Sequence, residues 1–404
     1  KNKDILIRKK RNFTFRRHPA VHAMWKTRIQ RGASFMIHFT CDKDKLISTI
    51  SVASRTVSQK STIPALEGIY VTAGKLLTLT GYNLETGISV SMEADVKEMG
   101  SAIFPAKLLG DIVRKLPDET VTIQVDEKYR VKIVSGASSF TIMASSADDY
   151  PNLPDVEYDK AIYVPQNVLK DMISGTIFSV SENQARPIQT GCKFEISPDD
   201  ITVVAVDGYR LALRREKIDN PEGRDLSFVC PAPALRELEK ILEDTDETAS
   251  FTLGTRHIMF QVGNATLVCR LLEGEFLDWR RVVPTDNPIK LGVNVKNLTS
   301  SLERVSLIVS EKIKSPVRLT VGENIMALRT SNSIGDAYDE CQMAGNGEDM
   351  EIGFNCKYLL EALKAIPEED IIFELKTNLS PAVMNPTEGN KFTYMVLPVR
   401  LKAE

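Results

Sequence analysis

The chain has 404 residues, of which 43% are hydrophobic, and its formal net charge is −3. No stretch approaches the roughly 18 apolar residues that a membrane-spanning helix needs, and the first residues lack the apolar core of a signal peptide. These features exclude secreted and membrane-spanning proteins and predict a soluble, cytoplasmic one. The six cysteines form no Cys-x-x-Cys pair, so we expect buried free thiols rather than a disulfide framework or a zinc site.

The charge is distributed unevenly along the chain. Residues 1–35 carry eleven Lys and Arg and one acid, Asp4, a net charge of +10, which leaves −13 for the remainder. Such a segment is typical of a basic arm for nucleic acid or of an organelle-targeting peptide. The other interpretation is that translation starts at Met36 and that residues 1–35 are a leader that is not native or is disordered. We favour the second, because a strand pattern begins at Ile37.

The first repeated helix is predicted where Leu46, Leu169 and Leu298 each open an apolar stripe. The positions four, seven and eleven residues further on are apolar or small in all three copies, and that spacing is one face of an α-helix. These positions are Ile50/Ile173/Leu302, Ala53/Thr176/Val305 and Val57/Val180/Val309. A proline, which cannot continue a helix, stands eighteen residues after each leading Leu, at Pro64, Pro187 and Pro316.

A second helix also occurs three times. Residues Phe104–Leu116, Cys230–Leu242 and Phe354–Ile366 align without a gap at spacings of 126 and 124 residues. Solenoid repeats are about 20 to 50 residues long, so a period this long indicates a triplicated globular domain.

Strand patterns fill the space between the helices. Alternation of period two beside two helices predicts an α+β unit in which two helices pack on antiparallel sheets. The strand patterns are Gly68–Val71, Leu76–Thr80, Thr120–Val125, Ile201–Val206, Ile258–Val262 and Ile371–Leu375. Turn residues and acids gather at 145–160 and 273–290, which predicts domains at 36–160, 161–287 and 288–404.

Histidine catalysis is disfavoured by composition. Only His38 and His257 lie outside the basic leader, so a serine or cysteine nucleophile would have almost no general base. Acids such as Asp148 and Asp149 lie in predicted linkers, where they are usually solvated. We therefore predict no enzyme activity, no metal and no cofactor.

The second helix carries an acid and a base in every copy. The pairs are Asp111 with Arg114, Glu237 with Lys240 and Glu361 with Lys364. One interpretation is a surface pair worth about 0.2 to 0.5 kcal/mol. The other is that equivalent helices present cations to one polyanion, because the local field rather than the net charge governs contact with phosphates. The same two interpretations apply to Lys43, Lys45, Arg55, Lys60, Arg304, Lys312 and Lys314.

Three further motifs carry a resemblance to a known family. They are residues Val206–Leu213, Phe276–Pro284 and Tyr394–Leu401, in that order within a triplicated chain. From Met36 to Leu401 the sequence resembles the bacterial DNA polymerase III beta subunit, the sliding clamp family. The resemblance implies a head-to-tail homodimer, a ring of six similar domains with its helices facing a central hole that encircles duplex DNA.

The resemblance also implies site residues. A hydrophobic groove between domains two and three would receive a short linear motif from the polymerase III alpha subunit, the clamp loader and repair proteins. Its residues would be Gly208, Tyr209, Arg210, Leu211, Leu277, Arg281, Val282, Pro381, Met395, Leu397, Pro398, Val399 and Arg400. Residues facing DNA, without sequence preference, would be Lys60, Lys107, Arg114, Gln184, Lys240 and Lys364. Ile308 and Val309, expected on the first helix of domain three, would support the dimer.

The chain departs from the family pattern at two positions of the groove. Gln189 stands where an apolar residue is usual, and Leu277 replaces a frequent proline, so the preferred motif could differ. Two other functions stay open on the sequence: a clamp paralogue or scaffold that does not encircle DNA, and a carboxylate-dependent nuclease.

Overall fold

The structure is a computed structural model that describes residues 37–156, 161–218, 220, 223, 225–309 and 315–401. The basic leader, Lys312 and Lys314 lie outside these residues. None of the helices in the described ranges is long and apolar enough to span a membrane.

The first unit contains nine strands and two helices. The helices are α1 (Lys43–Ala53) and α2 (Ala106–Lys115). The strands are β1 (Ile37–Asp42), β2 (Gly68–Ala73), β3 (Leu77–Tyr82), β4 (Thr86–Met92), β5 (Asp95–Glu98), β6 (Gly100–Pro105), β7 (Thr120–Val125), β8 (Arg130–Ser135) and β9 (Ser138–Met143).

The second unit repeats this order with eight strands. Its helices are α3 (Gln166–Ile177) and α4 (Ala232–Glu239). Its strands are β10 (Ile162–Pro165), β11 (Gly191–Ile196), β12 (Asp200–Val206), β13 (Arg210–Lys217), β14 (Leu226–Pro231), β15 (Thr248–Leu253), β16 (His257–Val262) and β17 (Ala265–Arg270).

The third unit merges several of the repeated strands into one long hairpin. Its helices are α5 (Val295–Ser306) and α6 (Cys356–Lys364). Its strands are β18 (Ile289–Asn294), β19 (Val317–Asn332), β20 (Gly335–Phe354), β21 (Asp370–Leu375), β22 (Ala382–Pro386) and β23 (Phe392–Val396). The prediction of a triplicated α+β unit, with two helices on antiparallel sheets, is confirmed.

The helices begin at residues that suit their positions. Asp42 caps α1 by accepting a hydrogen bond from the Lys45 backbone N–H at 2.8 Å, and Asn294 and Asn355 cap α5 and α6 in the same way. A proline precedes each of the other three helices. The apolar stripe predicted for the first helix of each unit is buried at its leading position, as Leu46, Leu169 and Leu298 show. Its last predicted position lies beyond the end of the helix in every unit, at Val57, Val180 and Val309. Burial of that stripe, rather than helix propensity alone, holds the helices on the sheets.

The sheets continue across the boundaries between units. Strand β4 pairs with β17, and β13 pairs with β23, both antiparallel. We call these contacts the first joint and the second joint. Ile88 and Val90 of β4 are buried in the core of the second unit, and Ala212 of β13 is buried in the core of the third. Each joint therefore shares both backbone hydrogen bonds and apolar core.

Candidate functional site

A separate apolar cluster lies where β13 of the second unit meets β23 of the third. Leu211 stands opposite Met395 across the second joint, and the two share the cluster with Val282. The remaining members come from the neighbouring strands and from the linker between the units: Val204, Val206, Leu213, Val229, Phe276, Trp279 and Val383 are buried, and Ile188, Leu272 and Val283 are half-buried. We call this surface the groove cluster.

The structure brings most of the predicted groove residues around this cluster. Leu211 and Met395 are buried in its floor and Val282 is half-buried. The exposed members are Gly208, Tyr209, Leu277, Arg281, Val399 and Arg400, and the half-buried ones are Pro381, Leu397 and Pro398. The Leu397 N–H donates to the Tyr209 carbonyl at 2.8 Å, which extends the pairing of β13 with the terminal strand.

Arg210 is placed differently from its neighbours. Its side chain is only 8% exposed, and its guanidinium forms ion pairs with Asp207 at 2.9 Å and with Glu361 of α6. It also donates to the Phe178 carbonyl and lies 4.4 Å from the Tyr358 ring centroid. Arg210 therefore joins the second and third units, and its hydrogen-bonding groups are directed to the protein rather than to a ligand in the groove.

The linker between the units is held by a charged network at Trp279. The Trp279 indole N–H donates to Glu195 at 3.2 Å, and Arg280 lies over the indole ring and pairs with the same carboxylate at 2.8 Å. Burial disfavours ionisation of Glu195, but hydrogen bonds from Arg280 and Lys193 outweigh it and lower the pKa. This network positions the wall of the groove formed by residues 276–283.

Sequence reasoning missed several groove residues. Val204 and Val206 lie on β12, and Val383 lies on β22, one strand beyond β23. The signal was present for β12, because residues 201–206 are apolar except for Thr202, as expected for a strand buried on both faces. No sequence signal indicated that β22 would contribute to the same surface.

The six predicted DNA-facing residues are all exposed. Arg114 pairs with Asp111 at 2.6 Å and Lys240 with Glu237 at 2.8 Å, so the predicted surface pair forms in two copies. In the third copy Lys364 pairs instead with Glu303 at 2.7 Å, because Glu361 is bound to Arg210. Lys60 and Lys107 have no ion-pair partner within the described part of the chain, which leaves them available to a polyanion; Gln184 is neutral and could only donate a hydrogen bond to one.

The described residues show few of the groups that a catalytic site needs. No group of three metal-ligating side chains occurs among the described residues. Burial and the nearby Arg270 and Arg256 lower the pKa of His257. All six cysteines are buried and free, as predicted, and burial raises the pKa of the Cys192 thiol to about 12.

Comparison with known families identifies all three units. The N-terminal, central and C-terminal domains of the DNA polymerase III beta subunit match residues 37–154, 163–278 and 280–400. The chain belongs to the DNA polymerase III beta subunit family. This confirms the family inferred from the three sequence motifs.

Relatives match over nearly the whole of their length. The beta sliding clamp of Staphylococcus epidermidis is 32% identical over 376 residues, which cover 90% of this chain and all of the relative. The crystal structure of the sliding clamp from Bacillus subtilis superposes with a TM-score of 0.87 at 30% identity, covering 91% of this chain and 100% of that one. A sliding clamp from Bartonella birtlesii, bound to griselimycin, gives a TM-score of 0.85 at 28% identity over the same shares of the two chains.

Proposed function

We propose that this chain is a sliding clamp: a non-catalytic processivity factor that encircles duplex DNA as a homodimer and tethers polymerase III and other replication proteins. The observation that supports the ring most directly is the repeated joint. Val90 stands opposite Ala265 at the first joint and Arg214 stands opposite Phe392 at the second. Within the first unit Val90 pairs with Leu79, and within the second Arg214 pairs with Val203. Leu79 and Val203 occupy the same position of the repeat, so the two joints have the same register.

Two strand edges that belong to such a joint have no partner within the chain. Within the described residues, β9 ends its sheet, and residues 335–342 of β20 pair on one side only, with β19. Strand β9 occupies the position of β17 and β23, and this part of β20 occupies the position of β4 and β13. Each chain therefore carries the two halves of a third joint, one on its first unit and one on its third. Two chains that meet head to tail satisfy both halves and close a ring of six units.

The register of the third joint follows from the other two. Asp339 would stand opposite Ser138 of the partner subunit, and Ala337 opposite Phe140 of the partner subunit. Phe140 and Met143 of β9 are exposed, as are Leu307 and Ile334 beside the edge of β20. Exposed apolar residues on both edges fit an interface that the partner covers.

Ile308 and Val309 lie near that edge, but not on a helix. Helix α5 ends at Ser306, and the Ile308 carbonyl accepts a hydrogen bond from Asn332 at 2.8 Å. That hydrogen bond fixes Ile308 beside Asn332, the last residue of β19. We place both residues, together with Leu307, at the dimer interface.

The groove cluster would receive an apolar linear peptide from the polymerase alpha subunit, the clamp loader or other partners. Its floor offers Leu, Val and Met side chains, whose burial is worth about 25 cal/mol per Å² of apolar surface removed from water. Tyr209, Leu277 and Val399 form an exposed apolar rim. The similar sliding clamp from Bartonella birtlesii is bound to griselimycin, so a clamp of this fold does take a ligand.

The basic residues on the helices would contact DNA phosphates loosely and without reading sequence. We retain Lys60, Lys107, Arg114, Gln184, Lys240 and Lys364 in this role. Since the ring has to form on the chromosome, we place the protein in the cytoplasm.

Light scattering tests the ring directly. Phe140→Asp should convert the dimer to a monomer, because the charge would enter the third joint. Tyr163→Asp is the matched control: Tyr163 is exposed on β10, away from the proposed joint, and its variant should remain a dimer. A native chain that is monomeric, or a Phe140→Asp variant that stays dimeric, would favour the non-encircling scaffold.

A further inference from the structure

The three joints differ at one place in the repeat, where a residue of the first helix packs against a strand residue of the joint and the residue paired with it. In the first joint these residues are Val52 of α1 and Val90 of β4, with Ala265 opposite Val90. Val90 and Ala265 are buried and Val52 packs on the same core. We call these three positions the joint column; in the first joint the column is wholly apolar.

The second joint fills the same column with one large side chain. Gly175 of α3 occupies the position of Val52, and Arg214 occupies that of Val90, opposite Phe392. A Cβ on Gly175 would lie 3.0 Å from the Arg214 Cγ, so the missing side chain makes room for the arginine stem. The guanidinium lies 6.0 Å from the Phe392 ring centroid. This column is packed within the chain, where Arg214 is buried.

The third unit has charges on both sides of the column. Arg304 of α5 occupies the helix position that Val52 and Gly175 occupy in the other units. Asp339 of β20 occupies the strand position of Val90 and Arg214. Within its own unit Asp339 stands opposite Leu328. The Arg304 Nε donates to the Asp339 carboxylate, and its Nη2 donates to Ser301 at 3.0 Å. The Asp339 carboxylate also accepts from the Glu340 N–H at 2.8 Å. The two side chains are 58% and 21% exposed, so the pair is still hydrated in a single subunit.

We propose that the Arg304–Asp339 ion pair weakens the joint between subunits relative to an apolar column such as that of the first joint, and so speeds the separation of the two subunits. This inference rests on the proposed ring. Closing the ring would cover the hydrated pair with the first unit of the partner, opposite Ser138 of the partner subunit. The ion pair already exists in the free subunit, so closure removes water from both charges without forming the pair anew. The desolvation penalty of a buried ion pair can exceed the gain in attraction between its charges, and replacing such a pair with apolar residues of similar volume is often neutral or stabilising.

The experiment replaces the joint column of the third joint with the residues found in the joint column of the first. The triple variant Ser138→Ala/Arg304→Val/Asp339→Val reproduces the Ala265/Val52/Val90 column. We expect subunit exchange, followed by fluorescence energy transfer between labelled subunits, to be at least about fivefold slower than in the native dimer. Asp339→Val alone should speed exchange, because it leaves Arg304 without its carboxylate at the interface.

Two controls separate the ion pair from other causes. Arg256→Val/Glu273→Val removes an exposed ion pair of the second unit, 3.7 Å apart, and should leave exchange unchanged. The charge reversal Arg304→Asp/Asp339→Arg retains an ion pair and should exchange at the native rate, which keeps the test decisive even if the triple variant does not fold.

The outcomes distinguish this inference from the ring itself. A native chain without a dimer would contradict the ring and this inference together. A native dimer in which the triple variant exchanges as fast as the native protein, or faster, would overturn the role of the ion pair and leave the ring intact.

Discussion

Single residues hold the second joint together at the boundary between two units. Arg210 bonds to Asp207 in the turn before its own strand, to Glu361 of α6 and to the Phe178 carbonyl at the end of α3. The Asp207 side chain is only 11% exposed, whereas Glu361 is 33% exposed and also lies 3.9 Å from the Lys357 ammonium. Removing the guanidinium therefore leaves chiefly the Asp207 carboxylate buried without a cation.

Arg210→Met should therefore lower the free energy of unfolding by about 3 to 5 kcal/mol. Arg281→Met is the matched control, because Arg281 is 86% exposed and, among the residues that the structure describes, pairs only with Asp278, at 3.0 Å. Its cost should stay below about 1 kcal/mol. Denaturant unfolding followed by circular dichroism measures both, and equal costs in the two variants would contradict the role given to Arg210.

The thiols give a second prediction at this scale. Burial raises the pKa of Cys192 to about 12 and that of Cys356 to about 11, so neither forms a thiolate near neutral pH. A thiol reagent at pH 8 should leave the folded protein unmodified and should modify all six cysteines in denaturant. A thiol forms little of its reactive thiolate at pH values well below its pKa. Labelling of Cys192 and Cys356 in the folded protein should therefore become fast only as the pH approaches about 12 and about 11. Rapid labelling of folded protein at pH 8 would show that the cores open readily.

At the scale of elements, the repeat made the helices predictable and left the joints unpredicted. Three aligned copies of Phe104–Leu116 define an apolar stripe and its limits to within two residues of α2. By contrast, the pairing of β4 with β17 joins residues more than 170 positions apart, and local pattern carries no information about such partners. Glu361 is the clearest case: its spacing to Lys364 predicted a surface pair, but Arg210 from another unit takes the carboxylate. The end of α5 before Ile308 was missed for a similar reason, since an apolar stripe continues past the last helical turn.

The groove is an element-scale feature formed by β13, β23 and the linker. Val282→Asp should weaken binding of a labelled peptide with the family's clamp-binding motif by at least about tenfold, because a charge would enter the groove cluster without a partner. Tyr163→Asp serves as the control, since it adds the same charge away from the groove. Fluorescence polarisation measures both affinities, and an unchanged affinity in Val282→Asp would place the peptide elsewhere.

At the scale of the whole molecule, one repeated joint accounts for both the chain and its assembly. The two internal joints share a register. The free edges of β9 in the first unit and β20 in the third would supply the two halves of the proposed third joint. The same geometry that stacks units within the chain therefore specifies how two chains meet. We propose that the exposed cations act at this scale, because loose phosphate contacts become useful when the ring retains the duplex.

Phosphate contacts should appear in the salt dependence of weak duplex binding. Each phosphate contact contributes about −0.9 to the slope of log affinity against log salt. Lys60→Gln/Lys107→Gln should reduce the magnitude of that slope by about 2, whereas Lys75→Gln/Lys128→Gln, in exposed turns between strands, should not change it. Equal slopes in the two double variants would contradict the assignment of Lys60 and Lys107 to the DNA-facing surface.

Retention on circular DNA tests the central claim most directly. The protein would be incubated with nicked circular plasmid, a matching clamp loader and ATP, and then washed in roughly 0.5 M salt, at which direct phosphate contacts are largely screened. A closed ring threaded by DNA should remain on the circle and leave when the plasmid is cut to a linear form. Protein that washes off both forms, despite an active loader, would contradict a clamp that encircles DNA.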